Sequence, residues 1–154
     1  MKVLIADDNQ VFQTVLKVML TSWGYSVVTA DDGEEAWHIL RADNGPRLAI
    51  LDWMMPRMEG IDVCRLARAA FGRNIYILIL TARTRREDLL SAMKAGTDDF
   101  VTKPLKSQEL RLRLAAACRI LDLQERLANW DQVPSEARSR HGLIPQLSPA
   151  VSGT

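Results

Sequence analysis

A chain of 154 residues that is 47% apolar and 25% charged has the size and make-up of one soluble domain with a remainder. Its formal net charge of +1 gives no bulk electrostatic reason to bind nucleic acid or a membrane surface. No apolar stretch approaches the ~20 residues of a membrane span, and Asp7-Asp8 interrupt the first apolar run too early for a signal peptide. A soluble cytoplasmic protein is expected.

The elements alternate in chain order. Lys2 to Ala6 is an apolar strand that runs into Asp7-Asp8. Val11, Val15, Val18 and Met19 recur at helical spacing until Gly24 stops the helix. Ser26 to Thr29 is a short strand rich in β-branched residues. Asp32-Gly33 turns the chain into a helix marked by Ala36, Ile39 and Leu40, which Asp43-Asn44-Gly45-Pro46 breaks. A third strand begins at Leu48 and ends at Asp52. A loop through Pro56 and Gly60 leads to a helix carrying Ile61, Cys64, Leu66 and Ala67. Ile75 to Leu80 is apolar throughout, as a strand buried on both faces should be. Arg85 to Lys94 is helical and is closed by Gly96. Phe100 to Thr102 is a fifth strand, and Ser107 to about Trp130 is a long last helix. Five βα units imply a doubly wound parallel α/β sheet with right-handed crossovers. From Asp131 to Thr154 the chain carries Pro134, Pro145 and Pro149 among Ser, Arg and Gly, which reads as a flexible tail or linker.

Four strand ends carry the chemistry. Asp7-Asp8, Asp52, Thr81 and Lys103 each follow an apolar run. In an open parallel sheet such ends share one crevice, where ligands bind. Three carboxylates brought together need a cation, and a hard divalent ion with oxygen ligands is the natural one. Lys103 supplies a compact positive charge and Thr81 a hydroxyl, both suited to phosphoryl oxygens. Each residue taken singly is an ordinary strand-end or surface group; their joint placement is the signal. No glycine-rich phosphate loop is present. His38 and His141 stand apart from any nucleophile, and Cys64 and Cys118 read as reduced thiols in core packing. The chain reads as an acceptor of phosphate and not as a nucleotide enzyme.

These residues resemble a known family. Ala6-Asp7-Asp8-Asn9, Asp31-Asp32-Gly33-Glu34-Glu35-Ala36, Asp52-Trp53-Met54-Met55-Pro56 with Met58-Glu59-Gly60, Thr81-Ala82 and Lys94 through Pro104 are similar, in order, to the receiver domain of two-component response regulators. The resemblance covers residues 1 to 121. It implies a flavodoxin-like (βα)5 fold with strand order 2-1-3-4-5. It further implies that Asp52 is the phosphoacceptor, loaded by a sensor histidine kinase or a phosphotransfer protein. Asp7, Asp8, Asp52 and the backbone carbonyl of Met54 would hold Mg²⁺. Lys103 would pair with the phosphoryl group, across a cis bond to Pro104. Thr81 and Phe100 would be the moving switch residues, with Pro104 beside them. The domain would be a phosphorylation-dependent switch that assists its own phosphorylation and dephosphorylation, and not an enzyme in the ordinary sense. It would contact no nucleic acid and no membrane directly. Its output face would be the fourth helix, fifth strand and fifth helix, through which it could pair with a second copy.

Some positions depart from the pattern or leave alternatives open. Trp53 is bulky directly after the acceptor. Met54 and Arg83 stand where this family tunes phosphate lifetime. Met54, Met55 and Met58 form a soft loop that either covers the site edge or meets a partner. Arg83, Arg85 and Arg86 form a basic cluster at the fourth helix, either a solvated helix start or a contact for an acidic partner. Ala116, Ile120, Leu123, Leu127 and Trp130 are spaced four, three, four, three, a heptad-like seam that extends the last helix over residues 122–130. A helix folded on its own domain and a parallel helical pair both account for it. An aspartate-nucleophile phosphatase would place a second carboxylate two residues past the nucleophile; Met54 stands there instead. A degenerate receiver would have lost Asp7, Asp8, Asp52 or Lys103, and all four are present.

Overall fold

The computed structural model describes residues 1–140. In chain order it contains β1 (Lys2–Ala6), α1 (Gln10–Ser22), β2 (Ser26–Ala30), α2 (Gly33–Leu40), β3 (Leu48–Asp52) and α3 (Gly60–Phe71). A short 3-10 turn (Gly72–Asn74) leads to β4 (Tyr76–Thr81), α4 (Arg86–Ala95), β5 (Asp99–Thr102), α5 (Ser107–Asp131) and α6 (Ser135–Arg140). The chain falls into two compact units, Met1–Leu121 and the segment from Asp122 onward, so the division lies within α5.

In the first unit all five strands are parallel, in the order β2-β1-β3-β4-β5. This is the flavodoxin-like receiver order. Successive strand residues point to opposite faces, which explains why β3 and β4 are apolar up to their last residues, Asp52 and Thr81. Leu4, Ala49, Leu51, Ile77 and Ile79 pack with Ala36 and Leu40 of α2, Val63, Cys64 and Ala67 of α3, and Ala92 of α4. Val3, Ile5, Ile50, Leu78 and Leu80 pack on the other face with Leu16 and Leu20 of α1 and with Leu110, Leu114, Ala117 and Leu121 of α5. Both faces of the sheet are thus covered, as a parallel sheet requires.

Local signals set the helix ends nearest the rim. Asn9 caps α1 by accepting the Phe12 N–H, and Asp32 caps α2 by accepting the Glu35 N–H. α4 starts with no side-chain cap, at Arg86, one residue later than the sequence suggests. The fourth strand likewise begins at Tyr76 and includes Thr81. Within α5 the buried residues of the first unit are Leu110, Leu114, Ala117 and Leu121. The heptad-like seam is a different stripe: Ile120, Leu123 and Leu127 are exposed. In the second unit, Ser135–Arg140 is helical, within the stretch read from the sequence as a flexible tail or linker. Pro134 explains it, since its fixed φ suits a helix start, and its carbonyl accepts the Ala137 and Arg138 N–H groups. Residues 141–154, with His141 among them, lie outside the described residues.

Candidate functional site

Strand register assembles the site. Ala6 pairs with Leu51, Asp52 with Leu80, and Thr81 with Thr102. Asp7 and Asp52 are therefore level neighbours, each one residue past a paired row, and Thr81 and Lys103 follow on the adjoining strands. The four emerge together at the carboxyl rim of the sheet.

Asp7 is fixed on several sides. Its N–H donates to the Ala30 carbonyl (3.1 Å), and its Oδ1 accepts the Asn9 N–H (2.8 Å). Its carbonyl accepts from Gln13 Nε2 (3.0 Å). Asp7 Oδ2 is buried and has no hydrogen-bond partner. Asp8 is exposed beside it. Each of Asp7, Asp8 and Asp52 offers one carboxylate oxygen, and these oxygens lie within 4.8 Å of one another. Lys103 Nζ donates to Asp52 Oδ1 at 3.2 Å and stands 3.7 Å from Asp7 Oδ2. The same ammonium sits 4.8 Å from the centre of the Phe12 ring.

Three carboxylates against one ammonium leave an excess of negative charge. Burial, and then the charge of Asp7, raise the Asp52 carboxyl above its ordinary value, while Lys103 pulls it down. A buried oxygen without a hydrogen bond and an acidic cluster of hard donors that one ammonium only partly compensates fit a divalent cation held by Asp7, Asp8 and Asp52.

Asp52, Met54, Thr81, Arg83 and Lys103 line one cavity of about 160 Å³. Thr81 is buried, and its Oγ1 accepts the Arg83 N–H at 2.8 Å. Met54 faces solvent, whereas Met55 is buried and Met58 packs on the α2–α3–α4 face. Gly60 permits this loop: a Cβ there would collide with the Asp52 carbonyl. Phe100 lies in β5 opposite Ile79 and is half-buried against the same face. The Lys103–Pro104 bond is cis. His38 is exposed on α2, within 3.5 Å of Arg41, and belongs to no part of this rim.

Two supports had no sequence signal. Gln13 is buried, and its Nε2 also reaches the Ala30 carbonyl (2.9 Å) and Asp31 Oδ1 (3.0 Å). A helical amide is common in any sequence; only the fold turns these acceptors toward it. The second is the stacking of Arg83 on Trp53, 5.1 Å from guanidinium carbon to ring centre.

A doubly wound sheet of this strand order, with an acidic triad and a lysine at its carboxyl rim, defines the receiver class of signalling domains. A family model described as the response regulator receiver domain matches residues 3–115, and the chain belongs to that family. It is 39% identical over 118 residues to the response regulator MprA of Mycobacterium sp. (strain KMS), a match covering 77% of this chain and 50% of that protein. The chain thus spans about half the length of the curated relatives it matches. Among solved structures, the receiver domain of Francisella response regulator 1452 is 32% identical, with a TM-score of 0.69 over 75% of this chain and 93% of that one. Vibrio cholerae chemotaxis protein CheY4 is 28% identical, with a TM-score of 0.69 over 75% and 96%. Residues 3–115 are thus a receiver domain of two-component signalling, a class that works with histidine kinases or phosphotransfer proteins. Among the described residues, no helix is long and apolar enough to cross a membrane.

Proposed function

We propose that Asp52 accepts a phosphoryl group from a phosphohistidine donor, with Mg²⁺ held by Asp7, Asp8, Asp52 and the Met54 carbonyl. The observation that carries this reading is the clustering of three carboxylates, one oxygen of each within 4.8 Å of the others, with Asp7 Oδ2 buried without a hydrogen bond and Lys103 Nζ 3.2 Å from Asp52. When bound, the cation neutralises the acids and the charge on the phosphoryl oxygens. A carboxylate oxygen of Asp52 attacks phosphorus. A P–O bond forms, the P–N bond to the donor imidazole breaks, and the imidazole leaves with a proton. Lys103 pairs with a phosphoryl oxygen, so the site assists both this step and the later loss of phosphate to water.

The switch follows from Thr81. Its hydroxyl oxygen accepts from Arg83 now; a phosphoryl group on Asp52 draws the hydroxyl as a donor instead. Phe100, two residues before the Thr102 that pairs with Thr81, turns inward as Thr81 moves. Pro104, with its ring-fixed φ, limits how far the Lys103 segment follows. Leu90 and Met93 of α4 and Leu112 of α5 are exposed on the elements that respond. That face, or the Ile120–Leu123–Leu127 stripe of α5, would pair with a second copy. The donor, a sensor histidine kinase or phosphotransfer protein, must stand over the carboxyl rim. α1 begins there and presents Val11, Val15 and Val18 as an exposed apolar row. This reading needs no nucleic acid or membrane contact by the described unit and places it in the cytoplasm with its donor.

Acetyl phosphate with Mg²⁺ tests the reading. The protein should gain the mass of one phosphoryl group, and the gain should vanish in Asp52→Asn or when the metal is chelated. A gain that persists in Asp52→Asn would assign the acceptor elsewhere.

A further inference from the structure

Arg83 is gripped from two directions at the edge of the acceptor cavity. Its guanidinium lies over the Trp53 ring, 5.1 Å from the centroid, and its Nη1 is 3.5 Å from Asp88 Oδ1 in the first turn of α4. Its main-chain N–H donates to Thr81 Oγ1. One residue therefore touches the acceptor loop, the hydroxyl at the end of β4, and α4. With Asp52, Thr81 and Lys103 it also lines the cavity over the acceptor.

The Trp53 ring is placed for its face. It is almost wholly buried, yet its Nε1 has no hydrogen-bond partner. A buried unpaired donor is a defect that proteins accept only where something else holds the group in place. Here the cation above the ring does so, because a guanidinium over an indole is a favourable pair. The Asp88 contact is of the opposite kind: a single long ion pair between partly exposed groups, and such pairs are weak. A phosphoryl group on Asp52 would bring about two negative charges and three acceptor oxygens into the same cavity. A guanidinium binds phosphate oxygens in pairs and prefers them to one monodentate carboxylate.

We propose that Trp53 and Asp88 are positioning residues that hold Arg83 at the lip of the acceptor cavity, and that a phosphoryl group on Asp52 competes with Asp88 for its guanidinium. This rests on Asp52 being the phosphoacceptor. Once Arg83 turns to the phosphoryl group, α4 loses its tie to the end of β4. The backbone N–H of Arg83 loses Thr81 Oγ1 in the same event, so cavity and helix respond together.

The test uses the full chain with Mg²⁺ and beryllofluoride, a phosphoryl mimic whose bound form is followed by fluorine NMR. Asp88→Asn, by removing the competitor, should tighten binding roughly two- to fivefold, the scale of one partly exposed ion pair. Arg83→Ala should weaken binding, and adding Asp88→Asn to Arg83→Ala should change nothing more. Trp53→Leu should weaken binding and Trp53→Phe should restore it, since a ring face returns. An Asp88→Asn effect of equal size with and without Arg83, or none at all, overturns the clasp. If the unaltered protein binds no beryllofluoride, the acceptor reading falls and the clasp with it. If it binds and only the Asp88 effect is missing, the clasp alone falls.

Discussion

Asp52 ionises against its surroundings. Burial and the neighbouring Asp7 both raise its carboxyl above the ordinary value, so folding favours its protonated form. For an acid raised in this way, the folded state binds more protons than the unfolded one across the interval between the two values. The penalty is absent below the ordinary carboxylate range, grows as pH rises through that interval, and is complete above it. In metal-free buffer at neutral pH, Asp52→Asn should therefore melt higher than the unaltered protein. The gap should close as pH falls below the carboxylate range, and Mg²⁺ should raise the melting temperature of the unaltered protein more. Differential scanning calorimetry across pH checks all three. The acids, Thr81 and Lys103 were legible in the sequence because each terminates an apolar run. Gln13 was not, since nothing local says that three acceptors will face it. Gln13→Leu removes the side-chain donor to the Asp7 carbonyl and one of the donors to Asp31. The loss should cost about 1–3 kcal/mol in urea unfolding. It should also weaken Mg²⁺ binding in a metal titration, because Asp7 is then less firmly held.

At the scale of elements, the strands declared themselves by unbroken apolar runs and the helices by spacing. The ends were less legible: α4 has no side-chain cap to mark its start, and Thr81 continues β4 although it reads as the residue after it. What joins the elements at the opposite rim was not legible at all. Arg68 of α3 donates through Nε to the Gly96 carbonyl (2.6 Å) and through Nη1 to the Gly72 (2.8 Å) and Ile75 carbonyls, and its Nη2 pairs with Asp98. Asp98 in turn accepts the Ile77 N–H (2.8 Å) and pairs with Arg73 (3.1 Å). One guanidinium thus ties the end of α3, the entry to β4 and the turn before β5. Gly96 keeps a left-handed φ of 94° there and leaves room for the Arg68 stem, 2.8 Å from where a Cβ would stand. Partners so far apart in sequence give a lone arginine no pattern to be read by. Arg68→Ala should destabilise the domain by about 3 kcal/mol, because it strands a largely buried Asp98 and several carbonyls. Arg68→Lys should recover only part, since an ammonium cannot serve the same fork of acceptors. Urea unfolding measures both, and phosphorylation by acetyl phosphate at low temperature should persist in each, because the opposite rim is untouched.

For the whole molecule the question is what α5 does beyond Leu121. Among the described residues, every member of the two buried clusters lies at or before Leu121, so a fragment of residues 1–121 keeps both clusters whole. It should fold, with an unfolding free energy within about 1 kcal/mol of the full chain, as expected when no buried apolar group is removed. A fragment that also lacks Leu114, Ala117 and Leu121 should not fold, since losing one buried leucine alone costs about 2–5 kcal/mol. The fragment of residues 1–121 separates two sites of self-association. The exposed stripe of Ile120, Leu123 and Leu127 is cut away beyond Ile120, while Leu90, Met93 and Leu112 remain. A parallel helical pair needs apolar residues recurring at a and d, and Ile120 alone cannot supply that seam. Light scattering with acetyl phosphate and Mg²⁺ should therefore show a dimer of the full chain and a monomer of the fragment if the extended helix is the contact. A dimer in both assigns the contact to α4, β5 and the first turns of α5. A monomer in both removes pairing from the output of this receiver and leaves the α4 face to a partner of a different kind.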